Sequence, residues 1–250
     1  MFHSSSIKTS GIFIKRMNFG EADRILTILT ERFGKIKAIA KGVRKLKSKL
    51  AGSLEPFMLL DLQLHEGKTF YIVTGSVIRE EYLNIHNDLK KTSRAFYVGE
   101  LIDKFLEEGH KSDKTWRVFD RALKAIEKND NQFLLRIFEL QIIEASGFYP
   151  ELYECVHCKN KLQPGENFWD AIEGGVICSS CQKIYHHGKR ISDELIKILR
   201  LIDQNKFEII EKLKLDKTVE QEAEEILSEY IQSILERDIK SKKFMNSIGK

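Results

Sequence analysis

Four cysteines in one short stretch of the chain are the residues whose type and spacing indicate chemistry most directly. They form two Cys-x2-Cys pairs, Cys155 with Cys158 and Cys178 with Cys181, and nineteen residues separate the pairs. Two residues between the thiols of a pair allow a tight turn to direct both sulfurs at one metal ion. Since two such turns complete a tetrahedron and leave no position for water or substrate, the spacing predicts one structural Zn²⁺ ion.

Other interpretations of the cysteines stay open, namely a redox-active Cys-x2-Cys pair or four free buried thiols. Three nearby histidines, His157, His186 and His187, raise the question whether one of them replaces a cysteine as a ligand. We expect all three to be exposed, because each turn already supplies two cysteines. The residues between the pairs have the character of a zinc ribbon, and this zinc module spans about residues 151–188. Its metal would tie it to the surrounding helices, because so short an excursion has little core of its own.

A second informative stretch is FGKIKAIAKGVRKLKSKL, residues 33–50, which starts as a β-strand and ends as a mobile basic loop. It carries seven basic residues and no acidic residue between Lys35 and Lys49. Cations along a strand face and a loop can follow a sugar–phosphate chain without reading its bases. We therefore predict a nucleic-acid contact surface composed of Arg24, Lys35, Lys37, Lys41, Arg44, Lys45, Lys47 and Lys49.

The distribution of charge supports this interpretation of the basic stretch. Residues 1–80 contain 14 Lys and Arg against 7 Asp and Glu, whereas residues 81–250 contain 27 against 30. A solvated loop that only aids solubility is the ordinary role of a charge run, and an anionic membrane surface is another conceivable target. Because an ordinary exposed face mixes both signs of charge, the one-sided excess favours nucleic acid.

The elements that position these residues change in character near residue 80. Alternating apolar residues predict five short strands before that point, which favour a small barrel of the oligonucleotide-binding (OB) type over residues 1–80. In the basic strand, Ile36, Ala38 and Ala40 should face the core while the lysines face outward. Candidates for stacking on bases are Phe13, Phe57, Phe70 and Tyr71. For each of them a position in the core is the favoured interpretation, because strand alternation alone does not identify which face is exposed to solvent.

Residues 81–250 have a helical apolar period and predict an α-helical domain that contains the zinc module. The segment NQFLLRIFELQIIEASG is apolar on nearly every side and should form a buried central helix, whereas the final KSKKFMNSIGK should be a frayed basic tail. The predicted fold class is α+β: an N-terminal five-stranded OB-type β-barrel followed by an α-helical domain with an inserted four-cysteine zinc ribbon.

Several classes of activity have no motif in this sequence. There is no G-x-x-x-x-G-K-[ST] phosphate loop, no G-x-G-x-x-G after a strand and no G-x-S-x-G elbow, and no cysteine lies outside the four described. We therefore expect no catalytic activity and no bound nucleotide. No run approaches eighteen consecutive apolar residues and the first residues lack the pattern of a secretory signal, so we expect a cytoplasmic protein without a membrane partner.

Two segments of the chain resemble the bacterial recombination mediator family RecO. They are EADRILTILTERFGKIKAIAKGVRKLKSKLAGSLEPF and FELQIIEASGFYPELYECVHC, the latter followed by the second Cys-x2-Cys pair, and the resemblance spans about residues 7–235. It implies an OB barrel, a helical domain and a zinc module in a nucleoid-associated protein. It further implies binding to single- and double-stranded DNA, annealing of complementary strands, and loading of a recombinase together with RecR and the C-terminal tail of single-stranded-DNA-binding protein.

One departure from the family pattern concerns the turn after the first cysteine pair. The family often has glycine there, whereas this chain has Lys159 and Asn160, of which Asn160 tolerates a left-handed backbone. For the acidic partner tail we expect a groove between helices rimmed by Lys or Arg, with Lys90, Lys91 and Arg94 as candidates.

Two alternative functions stay open. One is an RNA-binding or ribosome-associated protein with an OB barrel and a zinc ribbon. The other is a helical scaffold protein in which the basic loop is incidental.

The annealing of DNA strands that the resemblance implies needs no nucleotide. Base pairing and stacking are gained, and only the repulsion between two polyanions must be relieved.

Overall fold

A computed structural model describes residues 6–48, 50, 52, 54–129, 131, 133–205 and 215–248. Lys49, one of the predicted nucleic-acid contacts, lies outside the described residues. The strands are β1 (Ile7–Phe19), β2 (Asp23–Thr30), β3 (Gly34–Ala40), β4 (Leu59–His65), β5 (Tyr71–Glu80), β6 (Asn167–Asp170), β7 (Gly175–Cys178) and β8 (Lys189–Ile191). The helices of this described part are α1 (Leu83–Asn87), α2 (Leu89–Phe105), α3 (Asp113–Lys128), α4 (Phe133–Ala145), α5 (Ser179–Tyr185), α6 (Asp193–Asp203), α7 (Lys217–Leu235) and α8 (Lys240–Ile248).

The chain forms two compact units. The first comprises Met1–Asn131 together with Ile239–Lys250, and the second comprises Gln132–Asp238. The first unit therefore contains β1 to β5 and also helices α1, α2, α3 and α8. The change from strands to helices near residue 80 is consequently a change of element type within one unit.

The five strands of the first unit close into a barrel in the order β1-β2-β3-β5-β4. Strands β3 and β5 run parallel, whereas the other neighbouring strands run antiparallel. Ile36, Ala38 and Ala40 are buried in the barrel core, as expected for alternate residues of one strand. The predicted barrel and the predicted inward face of β3 are thus confirmed.

Strand β1 departs from simple alternation. Its register with β2 shifts between Phe13 and Lys15, and Ile12, Phe13 and Ile14 are all buried. Such a β-bulge adds one residue to a strand, so successive side chains need not lie on opposite faces. Phe13 therefore belongs to the barrel core and is not accessible to a base.

The described part of the C-terminal segment, Lys240–Ile248, is a helix, and the prediction of a frayed tail is wrong for these residues. Helix α8 packs on α2, where Glu100 accepts hydrogen bonds from the backbone N–H groups of Lys240 (3.1 Å) and Ser241 (2.7 Å). Donors at a helix start have no partner within the helix, so this carboxylate supplies one. Burial raises the pKa of Glu100, but the hydrogen bonds from Ser241 and Lys240 outweigh it and hold that pKa below its ordinary value.

The second unit is built around α4, which confirms the predicted buried helix. Arg136 and Glu139 form an ion pair of 3.0 Å within it, with both side chains buried. Helix α4 packs against α6 and α7, and the unit also contains a small sheet in the order β7-β6-β8, in which β7 ends at Cys178. Trp169 of β6 packs edge-on against Tyr230 of α7, with ring centroids 5.3 Å apart, so an aromatic contact links this sheet to the helices.

Candidate metal centre and candidate nucleic-acid interface

The four cysteines converge at one point of the second unit. The sulfur atoms of Cys155, Cys158, Cys178 and Cys181 all lie within 4.8 Å of one another. The sulfurs of Cys158 and Cys178 are 3.8 Å apart. A tetrahedral site with Zn–S bonds of about 2.3 Å separates its sulfurs by about 3.8 Å, so the thiols fit one zinc ion. This convergence of all four sulfurs favours a shared ion over separate redox pairs.

Backbone hydrogen bonds shape the first cysteine turn. The N–H of Lys159 donates to the Cys155 carbonyl (2.9 Å), and the Cys155 N–H donates to the Asn160 carbonyl (2.9 Å). Lys159 has φ of 59°, so the left-handed residue of the turn is Lys159 and the expectation that placed it at Asn160 is wrong. A left-handed conformation costs a residue with a Cβ roughly 1–2 kcal/mol, which explains why glycine is suited to this position.

The pKa values of Cys155 and Cys181 are shifted in opposite directions. Burial raises the pKa of Cys155, but backbone N–H groups of Cys178, Cys158 and His157 outweigh it and lower that pKa to about 6. Burial and hydrogen bonds with the neighbouring sulfurs raise the pKa of Cys181 to about 12. Donors directed at a sulfur stabilise its thiolate form, which is the form that ligates metal.

The strand part of the basic stretch is engaged by carboxylates of its own unit. The Lys35 ammonium donates to the Asp103 backbone carbonyl and lies 3.2 Å from its carboxylate, and only 12% of the Lys35 side chain is exposed. Lys37 forms an ion pair of 3.0 Å with Glu108, although 48% of its side chain is exposed. Both lysines lie on the predicted outer face of β3, but Lys35 is not available to a phosphate.

The loop part of the stretch is ordered by hydrogen bonds to the β1–β2 hairpin. The Gly42 N–H donates to the Asp23 carboxylate (2.7 Å), and the Arg44 N–H donates to the Ala22 carbonyl (2.9 Å). Val43 is buried in the barrel core and anchors the loop between these contacts. The expectation of a mobile loop is therefore replaced by a series of turns held at a definite place on the barrel.

The remaining predicted cations divide by accessibility. Lys41, Lys45 and Lys47 are exposed and form no ion pair with any described residue. Arg44 is also exposed, and its guanidinium donates to the Gly20 carbonyl at 3.4 Å. Arg24 is only partly exposed, and its Nε is buried without a hydrogen-bond partner in the described part of the chain.

Sequence reasoning missed three exposed apolar side chains beside these cations. Leu46 is fully exposed between Lys45 and Lys47, while Met17 and Phe19 of the β1–β2 hairpin are 58% and 47% exposed. We define the hairpin–loop surface as residues 17–24 and 41–48, joined by the hydrogen bonds of Gly42 and Arg44 to the hairpin. The signal available in the sequence was a large apolar residue inside the basic run.

The aromatic candidates for stacking lie elsewhere. Phe57 is buried and packs edge-on against Phe96, with centroids 5.0 Å apart, so it is a core residue like Phe13. Tyr71 is partly buried against Phe33, with centroids 6.1 Å apart. Phe70 is partly exposed in the segment before β5.

The predicted rim for a partner tail is mostly inaccessible. Arg94 is buried within α2, and the Lys91 ammonium donates to the Glu127 carbonyl at 2.9 Å, which leaves Lys90 exposed. The expectation that Arg94 rims a groove is wrong, because the side chain faces the interior of its unit. Among the described residues, no helix combines the length and the apolarity that a membrane span needs.

Comparison with known families matches the two halves of the chain in turn. Residues 3–82 match the family described as Recombination protein O N terminal, and residues 86–243 match Recombination protein O C terminal. The chain belongs to the RecO family. It is 36% identical over 245 residues to DNA repair protein RecO of Dehalococcoides mccartyi (strain CBDB1), covering 96% of this chain and 95% of the relative.

Other RecO relatives are similar over nearly the same length. DNA repair protein RecO of Alkaliphilus metalliredigens (strain QYMF) is 34% identical over 235 residues, covering 92% of this chain and 94% of the relative. DNA repair protein RecO of Roseiflexus sp. (strain RS-1) is 33% identical over 242 residues, covering 96% and 85%. The similarity to RecO proteins thus includes both the barrel and the cysteine module.

Proposed function

We propose that this RecO-family chain is a DNA repair and recombination mediator that binds single- and double-stranded DNA through its hairpin–loop surface. The proposal rests on three lysines, Lys41, Lys45 and Lys47. Their side chains are exposed, they form no ion pair with a described residue, and they lie on a loop that is held by hydrogen bonds. Its relatives are named DNA repair proteins, which supports DNA as the nucleic acid. RNA is the alternative ligand for the same chemistry.

Phosphates are the proposed ligands of the cations. Lys41, Arg44, Lys45 and Lys47 would each neutralise one phosphate and release the counterions condensed there. Four contacts with a single strand give a salt slope of about −2.8, so affinity falls about 50-fold between roughly 50 and 200 mM salt. Lys37 is left out of this set, because its ammonium is paired with the Glu108 carboxylate at 3.0 Å.

Bases are the proposed ligands of the exposed apolar side chains. Phe19 offers an exposed aromatic face to an unstacked base, and Met17 and Leu46 are further exposed apolar side chains of the same surface. Stacking of a base on an aromatic side chain contributes about 1–3 kcal/mol and tolerates any sequence. The surface would therefore prefer single strands, whose bases are available, without selecting their sequence.

Annealing follows from the same surface. Two complementary strands repel each other as polyanions, and cations held at a fixed place lower that repulsion until pairing and stacking take over. The process is downhill, so this function needs neither a nucleotide nor a catalytic group. We further propose RecR and the C-terminal tail of single-stranded-DNA-binding protein as partners in recombinase loading at the nucleoid, on the ground of family membership alone.

The decisive test reverses the charge of the loop. The variant Lys41→Glu, Arg44→Glu, Lys45→Glu and Lys47→Glu should lose binding to a labelled DNA oligonucleotide in low salt and should no longer anneal complementary strands. A matched control reverses four exposed cations elsewhere, Arg117, Lys128, Lys161 and Lys197, and should retain binding. Circular dichroism must show that both variants are folded. Unchanged DNA affinity of the loop variant would refute the proposed interface.

The same assay separates the alternative functions. DNA and RNA strands of equal sequence should be compared for both binding and annealing, and stronger activity on RNA would favour the RNA-binding protein. A scaffold function would leave the loop variant fully able to restore survival after DNA damage in cells that lack the protein.

We also propose that the four cysteines hold one structural Zn²⁺ ion. When bound, zinc would cross-link the turn of Cys155 and Cys158 to the end of β7 and the start of α5. A structural zinc site contributes its binding free energy to folding, so chelation under mild denaturing conditions should unfold the zinc module. Loss of near-ultraviolet circular dichroism with released zinc is the expected readout, and a chain that contains no zinc yet keeps its dichroism contradicts the proposal.

A further inference from the structure

A second group of potential metal ligands lies in the zinc module, apart from the cysteines. Ligand atoms of His157, Asp170 and His187 lie within 4.8 Å of one another. The three residues come from different segments: the first cysteine turn, the end of β6, and the turn between α5 and β8. We propose that these side chains bind a second divalent transition-metal ion, with Zn²⁺ as the best match to two imidazoles and one carboxylate.

Asp170 is held in an orientation suited to a ligand. Its carboxylate is buried, and Oδ1 accepts hydrogen bonds from the backbone N–H groups of Ile172 (2.8 Å) and Glu173 (3.0 Å). The other oxygen, Oδ2, lies 2.6 Å from Nδ1 of His187. Hydrogen bonds to one oxygen of a ligating carboxylate fix its direction, which is the usual arrangement around metal ligands.

His157 supplies a ring nitrogen whose burial is not explained by a hydrogen bond to any described residue. The side chain is only partly exposed, so the expectation of an exposed histidine is wrong here, and its Nε2 is buried with no hydrogen-bond partner in the described part of the chain. The ring is held by stacking on Tyr185, with centroids 4.1 Å apart, and meets the His187 ring edge-on at 5.4 Å. An unsatisfied buried polar atom destabilises the folded chain, and a metal ion would accept the lone pair of this nitrogen.

The site has an open side. The side chain of His187 is 44% exposed. Asp170 and His187 line a cavity of about 620 Å³ together with Trp169, Lys189 and Glu229. Three protein ligands leave the fourth position of a tetrahedral zinc ion for water or an anionic ligand. The cavity borders the site on the side of Asp170 and His187, whereas His157 is not among its lining residues.

The competing interpretation is a hydrogen-bonded Asp170–His187 pair with His157 merely packed on Tyr185. The two interpretations differ in metal content. The expected count rests on the proposed zinc ion of the four cysteines: the full chain loaded with zinc and freed of loose metal by gel filtration should contain two zinc ions, one of them at the cysteines. A value of one zinc per chain in the wild-type protein overturns the proposal.

Variants identify the ligands. His187→Ala and Asp170→Asn should each lower the content from two zinc ions to one, and Asp170→Asn keeps an oxygen for the two backbone donors. His186→Ala, an exposed neighbour, is the matched control and should retain two. If wild-type protein holds two zinc ions and His187→Ala also holds two, the ligand assignment is wrong.

Cobalt provides a readout independent of zinc counting. Thiolate ligands give Co²⁺ an intense sulfur-to-metal charge-transfer band, whereas nitrogen and oxygen ligands do not. The first equivalent of Co²⁺ should produce that band, and the second should add only weak d–d absorption. His187→Ala should keep the band and lose the second step, whereas a titration that stops after one equivalent in the wild-type protein again contradicts a second site.

Discussion

The two parts of the basic stretch both carry cations and no acidic residue, but they have different surroundings. Along β3, Lys35 and Lys37 are paired with Asp103 and Glu108 of the same unit. In the following loop, Lys41, Lys45 and Lys47 have no carboxylate partner among the described residues. A run of positive charge in a sequence is therefore not equivalent to a positive surface, because charges from distant segments can neutralise part of it.

The difference separates a structural role from a binding role. The backbone of Lys35 accepts a hydrogen bond from the Gly109 N–H at 2.8 Å, in addition to the contacts of its ammonium with Asp103. Its neighbour Gly34 lies so close to this segment that an added Cβ would be 2.0 Å from the His110 carbonyl oxygen. The strand part thus joins the barrel to the end of α2, and only the loop part is left to contact an external polyanion.

The largest expected effect is on DNA affinity and comes from the loop. The variant Lys41→Ala, Lys45→Ala and Lys47→Ala should weaken single-strand binding about 100-fold at about 0.1 M salt and lower the salt slope by about 2, because three phosphate contacts are lost. Fluorescence anisotropy across a salt series measures both quantities. Lys37→Ala serves as the control on the strand. An equal loss of DNA affinity in that variant would contradict the distinction between loop and strand cations.

The second effect is on stability and comes from the strand. Lys35→Met should lower the free energy of unfolding by roughly 1–3 kcal/mol, because Asp103 loses a charge-assisted hydrogen bond in a mostly buried place. Chemical denaturation measures the change. DNA affinity should stay close to the wild-type value. The matched variant Lys41→Met should behave in the opposite way, with weaker DNA binding and unchanged stability.

The smallest expected effect is on single-strand affinity and tests the contribution of the exposed apolar residues. Phe19→Ala should weaken single-strand binding by about 1–2 kcal/mol while the salt slope stays constant, because a base contact is lost and no phosphate contact is changed. Duplex binding should change less, since paired bases are already stacked. If the Phe19→Ala variant binds with the affinity of the wild type, only the cations of the hairpin–loop surface contribute to binding.

Local patterns account for the parts of the molecule that sequence reasoning predicted. The inward face of β3 follows from a period of two residues, which Ile36, Ala38 and Ala40 satisfy within one strand. The cysteine cluster follows from the reach of two short turns. Both predictions depend on residues that are close in the chain, and both agree with the positions of the side chains.

Apart from the placement of the left-handed residue in the first cysteine turn, the main wrong expectations concern contacts between segments that are distant in the sequence. Packing within its unit buries Arg94, and the Glu100 carboxylate accepts hydrogen bonds at the start of the helix Lys240–Ile248. Lys35 meets Asp103 across 68 residues of sequence. The periodicity of the sequence does not predict these contacts, because each depends on which distant segment packs beside the residue.

The sequence by itself determined the strand and helix periods, the two thiol pairs and the surplus of cations in the first eighty residues, because these are properties of neighbours along the chain. The tertiary structure alone decided which cations are neutralised, which apolar side chains remain in water, and that Asp170 lies beside His187 and His157. The physical reason is that burial and charge pairing depend on distances through space, and these are set only when the strands and turns close on one another.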